Sequence, residues 1–113
     1  MKDLKFFDKC IKLMKKHNPQ LQEDGFHLLL PHASLYVEEL IQVFEKETEL
    51  GLKCWFLELL AATKSSIALP LFIENASLSD KKLVSLKDWA IHGLKNLDTK
   101  ESRCILFELG INK

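Results

Sequence analysis

The chain has few of the residues that break helices or cross-link small folds. Its 113 residues include only four glycines and three prolines, fewer turn residues than a sheet-rich fold of short strands would need. The cysteines are an odd number and far apart, at Cys10, Cys54 and Cys104. This spacing excludes a disulfide framework and a CxxC metal or redox motif. We therefore expect three reduced cysteines that fill the core as small apolar residues.

Long apolar runs are also missing. The longest, at 26–31 and 66–73, fall far short of the roughly 20 residues that cross a bilayer. The first seventeen residues are charged throughout, unlike the apolar centre of a secretory signal. A cytoplasmic location without membrane contact is the expectation.

No excess of charge of either sign exists, because 16 basic residues balance 16 acidic ones. A neutral chain has no overall field that attracts nucleic acid. Arg103 is the sole arginine, whereas bidentate grips on phosphate favour arginine over lysine. We predict a single domain, residues 1–113, whose partners do not include nucleic acid.

Catalytic motifs are absent as well. The sequence contains no HExxH, no GxSxG and no phosphate-binding glycine loop. His27 and His32 are separated by Pro31, which is poor geometry for two metal ligands, and His92 is expected to face solvent. The prediction is a protein that is not an enzyme and has no metal site and no cofactor.

What the chain does have is helical periodicity. Apolar residues recur at steps of three and four almost everywhere, which predicts an all-α fold of six or seven short helices. A first helix is expected at 3–17, ended by Asn18-Pro19, and a weaker second one at 21–30, interrupted by Gly25. Capping residues predict where later helices begin: Ser34, Ser65 or Ser66, Ser79 or Asp80, and Asp98.

An internal repeat organises the later helices. The segment LKCW at 52–55 recurs as LKDW at 86–89, and Leu60 recurs as Leu94, at an offset of 34 residues. Such a period predicts stacked helical pairs. In the preceding helices the apolar pair at 40–41 recurs at 71–72. Both tryptophans of the repeat lie in apolar stripes and are therefore predicted to be core residues.

The segments ALPLFIE at 68–74 and LKDWAIHGL at 86–94, followed by the link LDTKESR at 97–103, resemble HEAT-like repeats of the phycobilisome-lyase type. The resemblance covers residues 34–109, while residues 1–33 match no repeat unit. It implies a short right-handed α-α superhelix of helical hairpins that serves as a scaffold for protein contacts. Lys53 and Lys87 stand where arginine is commoner in such repeats.

Charge is unevenly distributed along the neutral chain. Residues 38–58 carry a local net charge of −4 (six glutamates, two lysines), whereas residues 1–17 carry +4 (six lysines, two aspartates). The acidic stretch is either a solvated face or a binding face for a cationic partner. As a binding face it would use five glutamates: Glu38, Glu39, Glu45, Glu47 and Glu49.

These features favour a protein-binding function. The chain is similar in kind to the small helical immunity proteins of contact-dependent growth inhibition. An immunity protein, or antitoxin, would cover the active site of one basic toxin, a nuclease, with glutamates in place of the phosphates. The alternatives are a general HEAT-repeat adaptor or assembly module, and a DNA-repair repeat protein, which would need a basic groove. A monomer or a weak dimer is expected.

Overall fold

A computed structural model describes residues 2–111, and over that range the chain forms helices and turns with no strand. The prediction of an all-α fold is therefore confirmed. Short 3-10 segments at Leu30–Tyr36, Ser66–Ala68 and Lys81–Leu83 lead into α3, α5 and α6. The α-helices are α1 (Leu4–Met14), α2 (Pro19–Leu29), α3 (Val37–Lys46), α4 (Leu50–Thr63), α5 (Leu69–Ala76), α6 (Val84–Leu97) and α7 (Lys100–Glu108).

The first two helices begin at side-chain caps. The Asp3 carboxylate accepts a hydrogen bond from the backbone N–H of Phe6 at 3.1 Å, and the Asn18 side chain accepts from the next two free backbone N–H groups. The expected interruption at Gly25 is wrong, since α2 continues through it. A Cβ at Gly25 would lie 2.6 Å from the carbonyl oxygen of Cys10. The glycine therefore lets α2 approach the backbone of α1.

Two of the predicted helix starts are wrong. Ser34 lies inside a 3-10 segment, and α3 begins only at Val37. Asp98 instead ends α6 in the left-handed conformation, with φ 49°. Thr99 then caps α7 in a reciprocal pair of hydrogen bonds with Ser102.

Three helical hairpins lie side by side. Helix α1 packs on α2, α3 on α4 and α5 on α6. The second and third hairpins join mainly through α4 and α6, and α7 packs on α6. The apolar stripe of each helix is thereby buried between neighbours, and Phe56 of α4 and Phe72 of α5 are fully buried.

The predicted repeat shares one helical frame. Helices α4 and α6 each have 14 residues and begin and end 34 residues apart. Each is followed by a left-handed residue, Lys64 (φ 55°) or Asp98 (φ 49°). The Lys53 ammonium group donates to the carbonyl oxygens of Phe44 and Glu47, each at 3.4 Å. A basic residue at this position of α4 therefore satisfies free carbonyls at the end of α3.

Three side chains differ from their predicted burial. Trp55 and Trp89 are only half-buried and pack against the edge of the core. Cys10 and Cys54 are buried as predicted, and burial raises the pKa of both thiols. Cys104 is exposed on α7, so the prediction is wrong there.

None of the helices described is long and apolar enough to cross a membrane.

Candidate functional site

The five glutamates predicted to bind a partner do not form one surface. Glu38 and Glu45 are exposed on α3. They are seven residues apart, which places them on one side of the helix about 10 Å apart. Glu39 instead pairs with Lys2, whose Nζ lies 2.9 Å from its carboxylate. This hydrogen bond lowers the pKa of the Glu39 carboxyl and raises the pKa of Lys2.

Glu47 holds the turn between α3 and α4. Its carboxylate accepts hydrogen bonds from the backbone N–H groups of Thr48 and Glu49, at 3.1 and 3.0 Å. The Lys15 ammonium lies 3.9 Å from its other oxygen. Glu49 is exposed at the start of α4, beyond the far end of α3 from Glu38. The basic first helix thus folds against the acidic segment and partly neutralises it.

A groove between α3 and α5 brings Glu45 beside a carboxylate that the sequence prediction missed. The groove has a volume of about 250 Å³. Its lining residues are Ile41, Glu45, Ile67, Pro70, Leu71 and Glu74. Glu45 and Glu74 are both exposed, and Ile67 is 56% exposed. An apolar floor therefore lies between two carboxylates, and none of these lining residues is a cation.

The repeat offset contained a signal for Glu74. It relates the apolar pair of α3 to that of α5, so the two helices were expected to be equivalent first helices of neighbouring hairpins. Stacked repeats place such equivalent helices in one row. A charge on one of them is therefore a neighbour of a charge on the other, although Glu45 and Glu74 are far apart in sequence.

A second surface lies on the opposite side of α4. Trp55 and Glu58 are three residues apart and share one side of the helix. Lys53, whose ammonium group contacts the end of α3, lies about 140–200° away around the helix. Trp55 and Glu58 therefore face away from α3. The Phe26 ring of α2 meets Trp55 edge-on, with ring centroids 4.9 Å apart at 76°.

This second surface contains a cavity of about 280 Å³, lined by Glu23, Phe26, His27, Trp55 and Glu58. Burial raises the pKa of the Glu58 carboxyl, and the charges of His92 and His27 act in the opposite direction. No side chain or backbone group within residues 2–111 donates a hydrogen bond to the Glu58 carboxylate. We call these five residues the aromatic cavity.

The equivalent position on α6 has different chemistry. Trp89 corresponds to Trp55, but His92 stands where α4 has Glu58. The ring centroids of Trp89 and His92 are 5.3 Å apart at 90°. The Asn96 amide donates to the carbonyl oxygen of Ala61 at 3.3 Å and ties α6 to the end of α4. The repeat thus preserves the tryptophan and changes the charged group beside it.

The basic residues of α1 form a strip on a single helix. Lys5, Lys9, Lys12 and Lys16 line a shallow depression together with Asp8 and Leu13. All six residues come from α1, so the depression does not lie between two elements. The DNA-repair alternative calls for a basic groove, and these lysines supply only one exposed helix side.

Other groupings give little basis for chemistry. Within the described residues, no set of three or more histidine, cysteine, aspartate or glutamate side chains is arranged to hold a metal ion. Comparison with protein-family models, curated proteins and solved structures gave no significant match. The candidate sites therefore depend on their geometry alone.

Proposed function

We propose that the chain is a HEAT-like helical-repeat module that binds another protein through the groove between α3 and α5. The observation that carries the proposal is the combination of an apolar floor, including the exposed Ile67, with Glu45 and Glu74 on its sides. Protein interfaces commonly combine an apolar centre with a polar or charged rim. The groove suits a segment with apolar and basic side chains.

The repeat assignment is supported by the equal frames of α4 and α6. Their matching lengths, their left-handed ends and their direct contact are what stacked hairpins would have. We propose that the hairpins form a short right-handed superhelix. In that arrangement α3 and α5 lie in one row and α4 and α6 in another.

The partner that fits best is a basic protein. Glu38 extends the acidic side of α3, so the binding face comprises Glu38, Glu45 and Glu74. We propose that Glu39 and Glu47 act inside the fold, where they pair with lysines of α1. Complementary charges speed encounter and favour the correct partner.

We further propose that the partner is a bacterial toxin, a nuclease, which this chain neutralises in the cytoplasm as an immunity protein. A nuclease presents cationic groups to the phosphates of its substrate, and carboxylates on a preformed groove can occupy such groups. A general adaptor is the alternative, and it would use a more apolar interface with little dependence on salt.

The test compares two doubly charge-reversed variants that change the net charge equally. E45K/E74K reverses the groove, and E101K/E108K reverses two exposed glutamates on α7. Each purified protein is used to capture partners from a lysate of the native cells at low and high salt. The captured protein is then identified by mass spectrometry and assayed for nuclease activity.

We expect wild type and E101K/E108K to retain one basic partner at low salt and to inhibit its nuclease activity. E45K/E74K should do neither. A partner that E45K/E74K binds and inhibits as well as wild type does would exclude the groove. Several partners retained at high salt would favour the adaptor function.

A further inference from the structure

The aromatic cavity on α2 and α4 has the chemistry of a cation site. An indole ring and a phenyl ring line it with two carboxylates, from Glu23 and Glu58. The face of a tryptophan ring attracts a cation within about 6 Å of its centroid. A carboxylate adds a charge-assisted hydrogen bond to the same cation. Neutral aromatic ligands would gain only the first of these interactions.

Two groups in the cavity have no partner within residues 2–111. The indole N–H of Trp55 donates no hydrogen bond there, and the Glu58 carboxylate accepts none. Tyrosine and tryptophan polar groups usually find a partner when they are buried, and a carboxylate away from water gains from a bound cation. Both groups are half-buried and open to the same cavity.

The repeat supplies an internal comparison. Trp89 on α6 is half-buried like Trp55, but its neighbour three residues on is His92 and not a carboxylate. Only the α4 copy therefore joins a tryptophan to an acid. A cation should distinguish the two tryptophans, whereas an apolar ligand should not.

We propose that the aromatic cavity binds an arginine side chain of the partner protein. The cavity, at about 280 Å³, is smaller than the pockets that hold drug-sized ligands, which suits a single side chain. A guanidinium group is planar, stacks on aromatic rings and bonds a carboxylate through two N–H groups. The proposal rests on the proposed protein-binding function for the source of the arginine, and not for its chemistry.

The test uses N-acetyl-arginine amide and its neutral isostere N-acetyl-citrulline amide as probes. The indole N–H signals of the two tryptophans are followed by NMR and assigned with W55F and W89F. We expect the arginine probe to shift the Trp55 signal saturably while the Trp89 signal stays in place. The citrulline probe should shift neither signal.

Two variants tie the response to the carboxylates. E58Q and E23Q should each weaken the arginine response at least fivefold, while E101Q on α7 should leave it unchanged. E58Q keeps the side-chain size and removes a charge that burial disfavours, so it is expected to fold. Circular dichroism checks each variant before titration.

The proposal is overturned if citrulline shifts Trp55 as arginine does, if both indole signals move together, or if E58Q and E23Q respond like wild type. Absence of any Trp55 shift at all arginine concentrations that leave the protein folded also overturns it. This result is independent of the capture experiment. A partner lost by E45K/E74K can coexist with a silent cavity, and a responsive cavity can coexist with no captured partner.

Discussion

Helices α4 and α6 occupy equivalent places in the repeat, yet their surroundings differ. Leu57 and Ala61 of α4 are fully buried or nearly so. Their equivalents on α6, Ile91 and Lys95, are half-buried and exposed. The reason is position: α4 touches α3, α6 and the 3-10 segment before α3, and its Trp55 meets Phe26 of α2. A repeat therefore fixes the frame of a helix, while its neighbours decide which side chains are buried and which are free to bind.

The largest expected effect breaks the centre of this comparison. Phe56 is fully buried on α4, and the equivalent residue on α6 is Ala90. F56A should lower the free energy of unfolding by about 3–5 kcal/mol, because it removes a buried ring and leaves a cavity. Urea denaturation measures the change. A loss below about 1 kcal/mol would show that α4 is not the central helix.

The next effect concerns the close approach of α5 and α6. A Cβ at Gly93 would lie 2.5 Å from the Phe72 ring, whereas Gly51 of α4 has open space around it. G93A should cost about 1–3 kcal/mol through overpacking. G51A is the matched control and should be neutral or should stabilise by up to about 1 kcal/mol. Equal effects of the two substitutions would contradict the contact between Gly93 and Phe72.

A smaller effect separates stability from binding at Glu58. Burial raises the pKa of this carboxyl in the folded state, so its ionised form opposes folding. The stability associated with its proton is fully present below the ordinary pKa of a glutamate and is lost as pH rises through the raised folded pKa. E58Q should therefore raise stability near neutral pH by less than about 1 kcal/mol.

Thermal unfolding of E58Q and wild type at neutral and acidic pH measures this difference. The two proteins should converge in acid, where Glu58 is protonated. Arginine binding to wild type should also weaken as pH falls, because Glu58 loses its charge and any protons taken up by His27 and His92 oppose the cation. A destabilised E58Q at neutral pH would mean that Glu58 is held by a favourable contact.

The smallest expected effect is at the ion pair between Lys2 and Glu39. The Lys2 side chain lowers the pKa of Glu39, so the pair contributes stability above the ordinary pKa of a glutamate and loses it as pH falls through the lowered value. Exposed pairs are strongly screened by solvent and salt. K2A should change the unfolding midpoint hardly at all, and any change should vanish at high salt. A large, salt-independent loss would be inconsistent with this pair being exposed.

Much of the fold was predictable because helix periodicity and caps are local. Asp3 and Asn18 start helices where their side chains reach free backbone N–H groups. Ser34 has the same chemistry, but it lies in a 3-10 segment that runs from Leu30 to Tyr36. Asp98 was mistaken for a cap because its left-handed backbone, which ends α6, has no signature in a single sequence.

The candidate site was less predictable because it depends on which helices meet. Local charge density identified the acidic segment but could not show that Lys2 and Lys15 of the N-terminal region pair with Glu39 and Glu47. Glu74 joins Glu45 only through the side-by-side placement of α3 and α5. For Trp55, an apolar stripe does not distinguish the centre of a core from its edge.

The most direct test of the central claim is the dissociation constant of the captured basic partner for the two charge-reversed variants. E45K/E74K should bind about a hundredfold more weakly than wild type, since each lysine places a like charge against a cationic surface. E101K/E108K should bind within about twofold of wild type, because surface charges far from an interface contribute little. Equal dissociation constants for the two variants would contradict the assignment of the groove between α3 and α5 as the binding site.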